Sequence, residues 1–421
     1  MADPGNALLR GTSAAVTIAD AMNSIVISIG GLHVSYLGCY GNGWIETPAF
    51  DRLAAEGFTF DQCFADTPIL ALARRSWLSA RYQCFHSADA PDLRLPASKS
   101  LIELLSAGGI RTILIRDTHE LLGQHAEAPA GFDSVIELAR GEQSSLEHLF
   151  DAARQWLESN AAAGQFLVFI DCHGAHPPWP PTVQRSEAGD SVELPEEIGG
   201  FDEDTDPATR ATFDDNGGDQ DSEDISAAAQ QTYAEVITTL DEHVGNFLEF
   251  LRGTAAWQES LVIVTSDVSA MPGGEQKEPA EDFSIGEATQ HVPLLVRFPE
   301  TQEAASRSGS LVQSIDLLPT VCDALGVAVP SEVDGRSLLP VLRLQTKNVR
   351  DHVLMGVPSR SMSIRTPMWH LTLGASEAES PSQLRLFTKP DDRWERNDVA
   401  QQYPDVVEQL EQRLRARTKA R

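Results

Sequence analysis

Carboxylate and imidazole side chains follow several of the strand-like apolar runs in this sequence. Asp267 follows the apolar run Leu261–Thr265, His176 lies beyond Gln165–Ile170, and His119 lies beyond Arg111–Ile115. Carboxylate and imidazole groups there can do direct acid–base work on an ester. They can equally be kept for hydrogen bonds at strand ends. Arg74 and Arg75 can hold an anion, or form exposed ion pairs worth about 0–1 kcal/mol. The five cysteines, Cys39, Cys63, Cys84, Cys172 and Cys322, are odd in number and their spacings suit neither zinc nor a disulfide framework. They read as free buried thiols. Glu187–Asp224 holds fifteen carboxylates against one arginine, Arg210. With few apolar residues it cannot offset its ordering entropy, and it reads as a solvated loop or an acidic binding site. It lacks the alternating oxygen ligands and central glycine of a calcium loop.

These groups need strands and helices to position them. Ser24–Ile29 is apolar and β-branched, reads as a buried strand, and stops at Gly30-Gly31. Pro48–Glu56 reads as a helix with Thr47 as N-cap, Pro48 at the first helical position and Gly57 at its stop. Ala71–Ala80 and Ser98–Ser106 are expected helices, the second stopping at Gly108-Gly109. Ser144–Asn160 is amphipathic, with Leu146, Leu149, Phe150, Ala153 and Leu157 on one face. Ser226–Leu251, Ser314–Gly326 and Pro404–Arg417 are further helices, and Arg111–Ile115, Gln165–Ile170, Leu261–Thr265 and Val292–Phe298 further strands. Strands alternating with helices imply βαβ units and a mostly parallel sheet. The expected organisation is a loose extension over 1–22, an α/β domain over 23–345 with the acidic segment inserted, and a small C-terminal α+β subdomain over 346–421.

At 421 residues the chain can bury a large core, and 42% hydrophobic residues is ordinary globular composition. A net charge of −30 argues against nucleic acid and anionic membrane surfaces as partners, because neutralising phosphate needs Lys and Arg. The apolar runs are strand-length, too short to span a bilayer. The N-terminus has no charged region followed by an apolar one, so cytoplasmic residence is the expectation.

Several segments, in order, carry a resemblance. They are Leu37-Gly-Cys-Tyr-Gly-Asn42, Thr47-Pro-Ala-Phe-Asp-Arg-Leu-Ala-Ala-Glu-Gly57 and Arg74-Arg-Ser-Trp-Leu-Ser-Ala-Arg-Tyr82. Further along come Phe169 to Pro181, Tyr233 to Gly245, His291-Val-Pro-Leu-Leu-Val-Arg-Phe-Pro299, Ser314 to Gly326, Asp334-Gly-Arg-Ser-Leu-Leu-Pro340, Ser363 to Trp369 and Arg396-Asn-Asp-Val-Ala400. Together they resemble the sulfatases of the alkaline-phosphatase superfamily. The resemblance implies an α/β sandwich with a mostly parallel central sheet and a small C-terminal α+β subdomain. It also implies hydrolysis of sulfate esters by a formylglycine nucleophile made from Cys or Ser, with a divalent cation, Ca²⁺ or Mg²⁺, held at two strand ends. Many relatives of this kind are exported.

The frame is kept, while much of the implied chemistry is missing. The first metal position is Gly30, beside Gly31, and neither offers a carboxylate. At the second, Thr265-Ser266-Asp267-Val268-Ser269 keeps Asp267, while Val268 cannot ligate. The match of Ser79-Ala80-Arg81-Tyr82 to the family's Thr-Gly-Arg-Tyr sets Arg74 on the motif arginine and Leu70 on the nucleophile. Leucine cannot become formylglycine, and Cys63, seven residues earlier, does not fit the motif. The resemblance places His119 on the substrate side, with Asp117 where a lysine is usual, puts His176 near the leaving group, and sets Lys277 roughly at a sulfate-binding lysine. It therefore implies a degenerate metal site with no cofactor expected, its pocket either still open or filled by Leu70, Leu72 and Val268; if filled, the site is lined by apolar atoms.

Three functions follow from this reading. One is a catalytically inactive sulfatase-like protein, a pseudoenzyme that binds or regulates through a protein partner or a small anionic ligand. Another is a hydrolase of sulfuric or phosphoric esters with an unconventional site built on His119, His176 and Asp267. The third is an interaction protein that takes a basic partner through residues 187–224.

Overall fold

The computed structural model describes residues 22–85, 100–118, 131–139, 146–176, 219–270, 272, 285–299, 304–374 and 384–419. The extension over 1–21, His119, Lys277 and the acidic segment up to 218 lie outside the described residues.

The chain opens with β1 (Asn23–Ile29), α1 (Pro48–Glu56), β2 (Phe58–Phe64), α2 (Leu70–Ser79), α3 (Leu101–Ala107), β3 (Arg111–Thr118) and β4 (Ser134–Ala139). It continues through α4 (Leu146–Asn160), β5 (Phe166–Cys172), α5 (Asp219–Arg252), α6 (Ala255–Glu259) and β6 (Ser260–Thr265). Next come α7 (Glu287–Gln290), β7 (His291–Val292), β8 (Leu294–Arg297), β9 (Ser306–Gln313), α8 (Leu317–Ala324) and α9 (Leu339–Leu342). The last elements are β10 (Val353–Val357), β11 (Ser361–Arg365), β12 (Trp369–Gly374), β13 (Leu384–Thr388) and α10 (Pro404–Lys419).

Strands β1 to β9 form one mixed, mostly parallel nine-stranded sheet in the order β4-β3-β5-β1-β6-β8-β2-β7, with β9 on β2. Successive strand residues point to opposite faces, so a strand apolar at every position is buried on both. On β1, Val26 enters one core with α2, α3 and α8, while Ile25, Ile27 and Ile29 enter the other with α1, α4 and α5. Leu167 and Phe169 of β5, and Leu261 and Ile263 of β6, repeat the division. The result is an α/β/α sandwich. Strands β10 to β13 form an antiparallel sheet covered by α10 through Leu410 and Leu414. A buried ion cluster ties this sheet to the sandwich. Lys389, after β13, meets Glu287 of α7 and lies 3.0 Å from Glu395, which is 2.5 Å from His370 of β12. Among the described residues no helix is long and apolar enough to cross a membrane.

Local expectations needed three corrections. The last six residues of the acidic segment, Asp219–Asp224, are not loop, because α5 begins at Asp219 rather than at Ser226. Thr47 does not cap α1; its Oγ1 accepts the N–H of Gly38 at 2.9 Å. The cap comes from another element: Asp241 of α5 accepts the N–H groups of Ala49 and Phe50 at 3.0 and 2.9 Å. A carboxylate at the positive end of a helix is favoured wherever in the chain it originates. Val292–Phe298 is not one strand either. Pro293, without an N–H to donate, splits it into β7 and β8.

Candidate functional site

Strands β5, β1 and β6 are adjacent and parallel, so their C-terminal ends open on one side. There the chain places Asp171, Gly30-Gly31 and Ser266-Asp267. The Gly30 N–H donates to the Cys172 carbonyl at 2.8 Å, and the Gly30 carbonyl accepts from the Ala175 N–H at 2.7 Å. Gly31 has φ +73°, its N–H donates to Asp267 Oδ1 at 3.0 Å, and its carbonyl accepts from the Tyr233 hydroxyl at 2.7 Å. A Cβ on residue 30 would lie 2.5 Å from His176 Cδ2 and 2.7 Å from the His173 carbonyl oxygen. The glycine pair is thus a tight turn packed against the segment after β5, with no room for a carboxylate at residue 30 while His176 stands there.

Asp267 is fully buried. Its Oδ1 accepts the N–H groups of Gly31 and Val268, at 3.0 and 2.7 Å. Its Oδ2 lies 3.0 Å from His176 Nε2 and 3.4 Å from Arg74 Nη2. The Arg74 nitrogen also donates to Asp171 Oδ1 at 3.0 Å. Burial alone raises the Asp267 carboxyl, but His176, Arg74 and the Gly31 N–H outweigh it and hold the group well below the usual carboxylate range. An ionised carboxylate only accepts, so His176 carries its proton on Nε2 toward Asp267. Asp171 is pushed upward by burial, against the pull of Arg74, with Asp267 adding to the rise. Burial lowers Arg74, and Asp171, Asp267 and Asp117 more than reverse that.

The structure therefore brings together Gly30, Arg74, His176, Asp267 and Val268, and the apolar lining that filling of the pocket would give is not what surrounds Asp267. Arg74 and His176 surround it. The arginine is not an exposed surface group: its side chain is 20% exposed against 9% for Asp171 and 0% for Asp267. Leu70 begins α2 one turn before Arg74 and is half-buried, and Val268 belongs to the sandwich core. Cys63 is buried in β2, where burial drives its thiol upward and leaves it unreactive. Asp171 was missed by sequence reasoning, although a carboxylate ending a buried strand was a usable signal. Asp117 was named only as a departure from the family's lysine; it accepts the N–H of His173 at 2.6 Å and belongs to the wall of the site.

Among the described residues no three His, Cys, Asp or Glu side chains converge to hold a metal ion. The two carboxylates share a guanidinium.

Comparison with known proteins places this chain in a family. The model described as sulfatase matches residues 22–327, and the model for the C-terminal part of N-sulphoglucosamine sulphohydrolase matches residues 283–420. An N-acetylglucosamine-6-O-sulfatase of Bacteroides thetaiotaomicron is 23% identical, over 75% of this chain and 70% of its own length. Arylsulfatase K of Bos taurus is 27% identical over 44% of this chain, which spans only 35% of that protein. Among solved structures, a putative sulfatase, yidJ, of Bacteroides fragilis superposes with a TM-score of 0.75 at 18% identity, covering 95% of this chain and 96% of that one. BT4656, solved with its substrate D-glucosamine-2-N,6-O-disulfate, gives 0.73 at 20% identity, with 95% and 98% covered. At such identities these likenesses show the fold. The family model spans most of the chain, from β1 to the end of α8, and on that match the chain belongs to the sulfatase family.

Proposed function

We propose that this chain is a sulfatase-family protein that does not turn over esters and acts by binding, with a small anionic ligand or a protein as its partner. One observation carries the reading: the surviving strand-end carboxylate, Asp267, has its oxygens committed to Gly31, Val268, His176 and Arg74. Three residue types support it. Gly30 and Val268 offer no metal ligand, and Leu70, at the implied nucleophile position, has no nucleophilic atom. The test is release of 4-methylumbelliferone from its sulfate, and of sulfate from N-acetylglucosamine 6-sulfate, with added Ca²⁺ and after chelation. Rates at the protein-free background are expected. Turnover that disappears in His176→Ala would sink the proposal.

A second reading, sulfuric-ester hydrolysis, is favoured by the comparisons, since the family model is the sulfatase model and the named relatives are sulfatases. In it, His176 and Asp267 would do acid–base work, and Arg74, His119 and Lys277 would hold the anion. Its signature is turnover that survives chelation and fails in His176→Ala. Activity on phosphoric rather than sulfuric esters is the variant suggested by likeness to a phosphonate monoester hydrolase of Agrobacterium radiobacter, at a TM-score of 0.69 and 19% identity.

A further inference from the structure

A second polar cleft lies where the sandwich meets the C-terminal sheet. Its described walls include His33, two residues past Gly31, Glu287 and Ala288 of α7, His291 of β7, and Arg393 and Trp394 after β13. The interior has room for about one water-sized group, and with the open mouth the empty space is about 240 Å³. His33 is 4% exposed and firmly held. Its backbone N–H donates to the Tyr233 hydroxyl at 2.9 Å, and the Tyr36 ring stands edge-on to the imidazole, 6.2 Å between centres. Burial, with His291 and Arg393 adding to it, lowers the imidazole to about 4, so near neutral pH the ring carries a single proton. Nδ1 accepts the Ser35 N–H at 3.0 Å, which leaves that proton on Nε2. Nε2 has no hydrogen-bond partner; the Ala288 carbonyl favours the charged ring without closing a bond to it. A buried N–H left open costs free energy until an acceptor reaches it.

Charge sets the kind of acceptor. Among the described residues the Arg393 guanidinium makes no ion pair or hydrogen bond, and it lies over the Trp394 ring, 5.3 Å from its centre. Glu287 is held from behind by Lys389 and lies 3.9 Å from Arg365, so its negative charge is offset. Trp394 is 60% exposed and offers a flat apolar face at the mouth. We propose that this cleft binds an oxyanion carried on a ring: one anion oxygen accepts from His33 Nε2, the Arg393 guanidinium meets the charge, and the ring lies on the open face of the Trp394 indole. The cleft shares no side chain with the strand-end cluster, and its role does not rest on the non-catalytic reading.

Calorimetric titration of the full chain with benzenesulfonate and with methanesulfonate tests this, and neither probe is an ester that the chain could consume. Benzenesulfonate is expected to bind roughly three- to tenfold tighter than methanesulfonate, the worth of a ring stacked on an aromatic face. Arg393→Gln should weaken benzenesulfonate about tenfold by removing a charged partner. Trp394→Ala should bring benzenesulfonate down to the methanesulfonate level. Both residues are exposed, so both variants should fold like the native chain. Carbon–proton correlation spectra should show the His33 ring titrating at higher pH with benzenesulfonate bound, because a neighbouring anion favours the charged ring. No binding of benzenesulfonate at millimolar concentration, or a His33 titration that it does not move, would overturn the site. Equal binding by the native chain and both variants would also overturn it, placing the ligand elsewhere and leaving the function proposed above standing. Ester turnover by the native chain would defeat the non-catalytic reading without touching these affinities.

Discussion

Asp267→Asn is the most informative single change, because it keeps the shape of the side chain and removes the charge. The amide oxygen can stay at the Oδ1 position and keep the Gly31 and Val268 N–H groups, at 3.0 and 2.7 Å. The amide nitrogen then takes the Oδ2 position, 3.4 Å from Arg74 Nη2, where a donor faces a donor, while His176 Nε2 keeps a bond only by moving its proton to Nδ1 or by turning to the amide oxygen at the Oδ1 position, 3.1 Å away. Flipping the amide would only move the conflict to the two backbone N–H groups. Removing one partner of a buried, hydrogen-bonded ion pair costs about 3–5 kcal/mol, far above the value of an exposed pair. Urea unfolding followed by tryptophan fluorescence should show that loss as a lower midpoint with an unchanged slope. The pH dependence gives a second check. The folded-state value of Asp267 is depressed, so its contribution is complete above the unfolded value of about 3.9 and is lost as pH falls toward the folded one. The gap between the native and Asp267→Asn chains should therefore be full at neutral pH and narrow in acid. A loss below about 1 kcal/mol at neutral pH, the size of an exposed ion pair, would refute the account of the site as a buried charge cluster.

Three other outcomes follow from the same geometry. Gly30→Asp should lower stability by about 1–3 kcal/mol, read as a lower melting temperature, because its Cβ meets the His173 carbonyl oxygen at 2.7 Å as well as the His176 ring. An unchanged melting temperature would mean that the turn yields freely. His33 is buried, and burial, with His291 adding to it, pushes its pKa down from 6.5 to about 4. The folded state thus binds fewer protons, so this contribution is whole above 6.5 and declines, by up to about 3 kcal/mol, as pH falls toward 4. His33→Asn, which can still accept from the Ser35 N–H, should flatten the stability–pH curve over that interval, and a curve parallel to the native one would contradict the assignment. Lys389→Met should cost about 3–5 kcal/mol by leaving Glu287 and Glu395 buried without their lysine. Amide exchange should accelerate first in β12 and β13, and uniform acceleration over the sandwich would point instead to global destabilisation.

Local chemistry made much of this protein legible in its sequence. The run before Gly30 is apolar at consecutive positions, which suits only a strand covered on both faces, and β1 is buried throughout. Pro48 and Gly57 bracket α1, and α3 stops at Gly108. Residue identity alone also says that Gly30, Val268 and Leu70 can neither ligate nor attack. What fills the site was decided only by the tertiary structure. Arg74 and Asp171 are 97 residues apart, and Gly31 and Asp267 are 236 apart. Their meeting depends on which strands are neighbours, a long-range outcome that no local pattern encodes. The same holds for Asp241, which caps a helix 191 residues earlier while the adjacent Thr47 turns elsewhere. What a side chain can do is read from one letter, but the partner of a buried charge is set by distance in space, and here that distance put a guanidinium between two carboxylates far apart in the chain.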